Sequence, residues 1–432
     1  MTSAYSHIGP VIKALRRERK MTQSELAAGI CSRSYISLVE KGQVTPSPDI
    51  VKRLAERLGI DHREIGIDGT KTDLADLLAS LKEAVEEKRW GCVETLLQHM
   101  ERKGNDAVQH PLYLLGKGTL AEEQRLYPEA EQYYRASVDL AQSMNMLEAH
   151  VRALDSLGAL LCRNGHSGNP ADAAPFFNRA LQLVADGNVN GRVKISLFVN
   201  TGLMYLRLAE YNAAARYLFE AEQLNEAFRT DFRLDYIYNG LGVYCAATRQ
   251  YELAEHYIKQ AIRLYERDPK DANVLIGSYT NLSIMYRLTF RYEEAILYLQ
   301  KANELAKSIG FDYAVQNTSI ELAKVLRKVG RCAEAKDLCR NIIRIGKDDT
   351  MAESQFVLAE LLLDEGNETE AVQLLEQSLQ GFRRKSMNLF LPKVYHLLGQ
   401  LYYRQGDFER AAQMYQQCCA ITMSEWEKKA SI

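Results

Sequence analysis

Along nearly the whole chain apolar residues recur every three or four positions, with Leu, Ala, Glu, Gln and Arg setting the rhythm, and the strict alternation of a half-buried strand is almost absent. Only nine of 432 residues are Pro. The pattern predicts an all-α protein, and its grain changes near residue 60. Before that point the helices are short. Ile8 to Arg19 reads as a helix ending in a basic run. Thr22-Gln23-Ser24-Glu25 is a capping box, with Thr22 as N-cap and Glu25 three residues on, and it opens a helix through Ala28. Gly29-Ile30-Cys31 makes a tight turn to Ser32, the N-cap of a helix from Arg33 to Lys41 that Gly42 ends. Ser47 caps a further helix, Pro48 to Leu58, and Gly59 stops it. Short helices joined by a Gly-containing turn are what a helix-turn-helix needs. His62 to Thr72 is polar, with Gly66 and Gly69, and reads as a connection. The expected division is a head over 1–66, a linker over 67–72 and an array over 73–427.

In the array one template repeats. Ala130, Ala214, Ala254, Ala295, Ala335, Ala371 and Ala411 each sit inside an amphipathic helix that follows a turn such as Ala209-Glu210-Tyr211, Arg249-Gln250-Tyr251, Phe290-Arg291-Tyr292 or Gly406-Asp407-Phe408. The preceding helix carries a small residue and a Tyr, as in Gly202 to Tyr205, Gly242-Val243-Tyr244 and Leu398-Gly399 to Tyr402. A helix-turn-helix period of this length is that of tetratricopeptide (TPR) repeats. Eight repeats start near Pro111, Ala149, Ile195, Leu234, Ile276, Gln316, Ala352 and Pro392. Asp73 to Lys103 reads as a degenerate ninth, and Gly165 to Pro170 as an insertion in the second.

Charge adds a direction to this layout. The whole chain is near −2, yet Met1 to Gly66 holds eleven Lys and Arg against seven Asp and Glu. Such asymmetry marks the end expected to meet phosphate. No apolar run approaches the length of a bilayer span, so no membrane association is expected, and the N-terminus has no charged region followed by an apolar one. Eight scattered cysteines, from Cys31 to the Cys418-Cys419 pair, read as reduced, buried thiols of a cytoplasmic protein. Metal-ligand spacings, phosphate loops and nucleophile motifs are missing, and the eight histidines fall at unrelated intervals. No enzyme, catalytic residue, metal or cofactor is expected.

Residues 8 to 60 resemble the Cro/C1-type helix-turn-helix through Leu15-Arg16-Arg17, Met21 to Ala27, Ser34 to Gly42 and Leu54 to Ile60. The resemblance implies that Gln23 contacts the DNA backbone and that the Arg33 helix enters the major groove, with Arg33, Ser34 and Ser37 as base readers. Tyr35 stands between groove contact and packing, and Lys41 completes the DNA-facing set. Ile36 and Val39 should face inward, and Glu40 fits a buried acid that pairs with Arg16. Arg53, Arg57 and Arg63 read as a solvated face.

A TPR array presents the first helices of its repeats along a concave surface. An extended peptide laid there exposes N–H and C=O groups that need partners, and Asn supplies both a donor and an acceptor. Asn200, Asn239 and Asn281 occur five residues before Tyr205, Tyr244 and Tyr286, and suggest an amide ladder over three consecutive repeats. Asn317 lies one turn earlier on the next first helix, and Glu321 takes the template position. Arg152, Arg163, Arg207 and Lys324 fall on the same expected side, where a basic group could hold a peptide carboxylate; Asp235 and Glu321 offer the opposite sign. Asn is also common here as an ordinary bond between helices.

A Cro-like head joined to TPRs is similar to the peptide-pheromone receptors of Gram-positive bacteria, the Rap–Rgg–NprR–PlcR–PrgX group. Gly29 to Ser37 resembles the recognition region of the NprR and PlcR branch. The resemblance implies a cytoplasmic homodimer, paired through its last repeats (Pro392 to Trp426). It implies binding of a short signalling peptide by concave Asn residues, and control of a double-stranded DNA operator by that peptide. Phage arbitrium receptors share the plan. A second reading is a TPR protein-interaction regulator that binds a phosphorelay protein.

Overall fold

The computed structural model describes residues 8–41, 43–44, 46–59, 74–162, 170–267, 271–346, 348–384 and 390–430. These residues are all-α, with no strand among them. Backbone packing divides the chain into two compact units, residues 1–160 with 179–189 and residues 161–178 with 190–432.

The first unit opens with α1 Ile8–Glu18, α2 Gln23–Ala27, α3 Arg33–Glu40 and α4 Pro48–Leu58. Local chemistry places their ends. The Thr22 hydroxyl accepts from the Glu25 N–H at 3.2 Å, and the Glu25 carboxylate accepts from the Thr22 N–H at 2.6 Å, so the capping box is complete. Ser32 accepts from the Tyr35 N–H at 3.1 Å. Ser47 stands at the N-cap of α4 without a side-chain bond. Gly59 takes the left-handed conformation that ends α4. Ile12, Leu26, Ile36, Val39, Val51, Leu54 and Leu58 are buried between these helices. Gly9 lets α1 lie directly on α3, since a Cβ there would fall 1.8 Å from the Val39 carbonyl oxygen. Gly42 and the linker expected over 67–72 lie outside the described residues.

Next come α5 Leu74–Glu86 and α6 Trp90–Lys103, the hairpin anticipated as a ninth repeat, and a short α7 Asn105–Val108. Leu77, Leu81, Val93, Leu97 and Met100 join the head's residues in one apolar cluster. The first repeat is α8 Pro111–Glu123 with α9 Tyr127–Ser143. The second is α10 Leu147–Leu161 with α11 Ala174–Asp186, and the boundary between the two units runs through it. The insertion anticipated over 165–170 lies outside the described residues except for Pro170, which opens a 3₁₀ turn to Ala173.

Six more pairs form the second unit: α12 Gly191–Arg207 with α13 Tyr211–Phe228, α14 Leu234–Ala247 with α15 Tyr251–Arg267, α16 Ala272–Leu288 with α17 Tyr292–Ser308, α18 Asp312–Lys328 with α19 Cys332–Ile345, α20 Asp348–Asp364 with α21 Glu368–Arg384, and α22 Leu391–Arg404 with α23 Phe408–Ala430. Each pair is an antiparallel hairpin, and the first helices α12, α14, α16 and α18 each touch the first helix of the next repeat.

One packing rule fixes the register of seven of the eight repeats, all but the second. Position 202 has to be small, and is Gly, because a Cβ would sit 2.8 Å from the Leu218 side chain as it stands, sixteen residues later. Gly242 meets Ile258 at 2.4 Å, Gly118 meets Tyr134 at 2.5 Å and Gly399 meets Tyr415 at 2.8 Å, all at the same separation. Ser283, Ala323 and Ala359 occupy the equivalent place, and each is buried.

Candidate functional site

The head is tied together by one carboxylate. Glu40, near the end of α3, accepts from Arg16 Nε at 2.6 Å and Nη2 at 3.0 Å, and from Gln23 Nε2 at 2.8 Å. Arg16 spends a further N–H on the Met21 carbonyl at 2.7 Å. A bidentate Arg–carboxylate pair with a third donor therefore joins α1, α2 and α3 at one point. Burial pushes the Glu40 carboxyl up, but the bonds from Arg16 and Gln23 outweigh it and hold it below the usual carboxylate range.

Around that lock α3, the helix expected to read DNA, presents its outer side. Arg33, Ser34 and Lys41 are exposed, Tyr35 and Ser37 half-buried, and Ile36 and Val39 buried. Gln23, expected at the DNA backbone, has committed one amide N–H to Glu40. Arg53 and Arg57, read as a solvated face, are exposed, and each also takes a structural role. Arg53 donates to the Gly29 carbonyl at 2.6 Å, and Arg57 to the carbonyls of Ala28 at 2.5 Å and Glu25 at 3.2 Å. A five-residue helix leaves its last carbonyls without partners, and the two guanidiniums of α4 supply them. Arg63 lies outside the described residues.

In the second unit the expected amide ladder is displaced. Counted from the close-packed Gly or Ser, Asn200 and Asn281 stand two residues before Gly202 and Ser283, but Asn239 stands three before Gly242. One residue turns a side chain by about 100° on a helix, so the three do not form a single row. The Tyr marker misled the alignment: the place of Tyr205 and Tyr286 is held in α14 by buried Cys245, not by Tyr244. The amides meet nonetheless. Asn281 Nδ2 donates to Asn239 Oδ1 at 3.1 Å across α14 and α16. That leaves the Asn239 N–H groups and the Asn281 carbonyl without partners among the described residues. Asn200 accepts from Arg233 Nη2 at 2.9 Å. Asn317 is half-buried, with no side-chain hydrogen bond among the described residues.

The charged residues of the expected set are paired. Arg152, in the first unit, bonds Glu86 at 2.8 Å and Glu148 at 3.2 Å, with its side chain 15% exposed. Lys324 bonds Glu321 and Glu353, both at 2.6 Å, and Arg287 approaches Glu321 at 3.6 Å. Burial disfavours the Lys324 ammonium, but Glu353 and Glu321 outweigh that and hold it well above its usual range. Arg327 bonds Glu360 at 2.8 Å and Asp364 at 2.5 Å. Arg163 lies outside the described residues, while Arg207 and Asp235 have partners of their own. All eight cysteines are free thiols. Burial pushes Cys339 up to about 12 and Cys162 up to about 11, which leaves both protonated and unreactive at neutral pH. No cluster of three metal-ligating side chains occurs among the described residues, and no helix among them is long and apolar enough to cross a membrane.

Comparison with known proteins agrees with both parts. Residues 12–65 match the helix-turn-helix family model, and residues 233–308 and 350–424 match the tetratricopeptide repeat model. Among solved structures, Rap protein complexed with Competence and Sporulation Factor superposes with a TM-score of 0.64 at 13% identity, over 82% of this chain and 98% of that one. The STAND signal-transduction ATPase with a tetratricopeptide repeat sensor from Pyrococcus horikoshii gives 0.53 at 14% identity, over 98% of this chain and 64% of that one. At these identities the likeness is one of fold. Among curated proteins, the Tonsoku-like protein of Mus musculus is 25% identical over 193 residues, 42% of this chain but only 13% of that much longer protein. The chain is a helix-turn-helix head followed by tetratricopeptide repeats, with the helical-repeat fold of the Rap protein.

Proposed function

We propose that this protein is a transcription regulator whose head binds a double-stranded DNA operator under the control of a short peptide held on the first-helix face of its repeats. The reading rests on one conjunction. A helix with Arg33, Ser34 and Lys41 exposed is locked into a helix-turn-helix, and the same chain carries half-buried amides with spare donors and acceptors on consecutive first helices. Arg33 at the start of α3 suits bidentate contact with guanine, and Ser34 and Ser37 lie on the same stretch. Asn239 and Asn281 suit a peptide unit whatever its side chains. Rap protein, which has this fold, was solved in complex with Competence and Sporulation Factor.

In this reading the protein is cytoplasmic and acts as a dimer, because one head covers too few base pairs for tight, specific binding and paired heads read two half-sites. The test is selection of a random duplex library on the full-length protein, repeated with small peptides captured by the protein from conditioned medium. An enriched inverted repeat whose affinity changes with a captured peptide supports the proposal. Enrichment of no sequence in either condition sinks it.

A further inference from the structure

On the first-helix face of the second unit, Arg287, Lys324 and Arg327 are all answered by carboxylates. Arg233 is not. It directly precedes α14, and its guanidinium donates from Nη1 to Ser196 Oγ and from Nη2 to Asn200 Oδ1, both at 2.9 Å. The same group lies 4.5 Å over the Tyr236 ring. Hydroxyl, amide and phenol are neutral, and no carboxylate lies within ion-pairing distance of Arg233 among the described residues. Among the described residues only two of its five N–H donors are used.

The chain takes trouble to hold it there. Arg233 has a φ of 55°, a left-handed conformation that side chains other than Gly rarely adopt. The segment before it is braced. Asn225 Nδ2 donates to the Phe232 carbonyl at 3.0 Å, Phe232 N–H donates to Thr230 Oγ1 at 3.3 Å, and Arg192 sits 5.5 Å over the Phe232 ring. A half-buried guanidinium fixed in plane by neutral partners keeps its whole charge and its remaining donors for an incoming anion. A carboxylate matches that fork in shape as well as sign.

We propose that Arg233 is the receptor for a carboxylate of the peptide ligand; this rests on the peptide reading above and names the chemistry of one end of that site. The Asn239–Asn281 pair lies one helix further along the same face. Neighbouring helices stand about 8–10 Å apart, and an extended peptide rises about 3.3 Å per residue. The carboxylate therefore belongs about three residues from the peptide unit that the amides hold. The carboxylate's source is either the peptide's C-terminus or an Asp or Glu side chain.

The experiment uses the full-length protein and mixed synthetic hexapeptides in three forms: free C-terminus with Asp and Glu allowed, the same with an amidated C-terminus, and free C-terminus without Asp or Glu. Retained peptides are counted by mass spectrometry. Wild type should retain one of the last two pools about tenfold less than the first. The amidated pool drops if the C-terminus is bound, and the acid-free pool drops if a side chain is. Arg233→Gln should abolish that preference. Ser196→Asp, which sets a carboxylate beside Arg233 and leaves the Asn residues alone, should abolish it too, and it keeps the test alive if Arg233→Gln unfolds. Equal retention of all three pools by wild type overturns the proposal, as does an unchanged preference in both folded variants. Retention of no peptide from any pool overturns the peptide reading itself, and the carboxylate receptor with it.

Discussion

Truncating Glu40 should loosen the whole head without touching the exposed Arg33, Ser34 and Lys41. The carboxylate is 3% exposed and takes three hydrogen bonds, two from Arg16 and one from Gln23. In Glu40→Ala the Arg16 guanidinium, 11% exposed, keeps only its bond to the Met21 carbonyl. Removing one member of a buried pair costs about 3–5 kcal/mol, chiefly because the other charge stays behind unpaired. Some water reaches Arg16, so the lower end, about 3 kcal/mol, is expected. Amide hydrogen exchange in the full-length protein reads this directly, with protection of the Leu26, Ile36 and Val39 amides falling by about a hundredfold. The paired change Arg16→Met with Glu40→Leu removes both charges and should cost less than Glu40→Ala alone. Acidity supplies an independent check. The Glu40 carboxyl is depressed in the folded head, so its stabilisation is complete above the ordinary value of 4.5 and is lost as pH falls below it through the lower folded value. Glu40→Ala should lack that acid-dependent loss. A cost for Glu40→Ala below about 1 kcal/mol, or a double variant less stable than the single one, would refute the claim that this pair locks the three helices.

Arg33→Ala should lose sequence preference for the operator by about 1–3 kcal/mol while folding and peptide binding persist; undiminished preference at matched salt in a gel-shift competition counts against α3 as the reading helix. Gly9→Ala places a methyl against the Val39 carbonyl oxygen, so the head should lose about 1–3 kcal/mol or more. Exchange in α1 and α3 should rise while that of α12 to α23 is unchanged, and an unperturbed head would mean that α1 does not pack on α3 this closely. Asn239→Ala and Asn281→Ala should each weaken a captured peptide by about 1–3 kcal/mol, whatever its side chains. The double variant should lose less than the sum, because the two amides share one bond. Unchanged affinity by calorimetry in both folded single variants would make the amides simple helix packing.

Which features could be read from the sequence follows from how locally each one is specified. Thr22 and Glu25, or Ser32 and the helix it opens, interact across three residues, and their roles are written in the residue types themselves. The Arg16–Glu40 pair spans twenty-four residues, yet the helix-turn-helix resemblance carried it. Arg53 and Arg57 are exposed, as a solvated face requires, but their bonds were not legible, because nothing in α4 says that the carbonyls ending a five-residue helix elsewhere in the sequence lack partners. The amide register failed for a different reason. Repeat four contains two glycines, Gly240 and Gly242, that both serve close packing. Gly240 meets Leu218 of the preceding repeat at 2.8 Å, and Gly242 meets Ile258 of its own at 2.4 Å. Tyr244 made the wrong alignment look right, and only the steric contact separates the two. Arg233 escaped notice because it belongs to no repeat position. It sits in the turn between repeats, and a left-handed φ together with bonds to the previous first helix gives it its place.

The distribution of partners along the first helices argues for where a ligand can compete. From α16 to α20 Arg287, Lys324 and Arg327 all face carboxylates at ion-pair distance, and a peptide entering there must displace a charged partner and leave it stranded. Stranding a buried charge costs several kcal/mol, more than the ~1 kcal/mol that a new hydrogen bond typically returns. Between α12 and α16 the situation reverses. The amide–amide bond between Asn239 and Asn281 leaves donors and an acceptor idle, and Arg233 holds its charge against neutral groups. A peptide unit can add to that arrangement without taking anything away, and a carboxylate brings Arg233 the counter-charge it lacks. Arg152, Glu321 and Lys324, which the sequence offered as binding charges, serve the fold by neutralising their neighbours. The residues suited to recognition are those whose polar capacity the fold leaves partly unused.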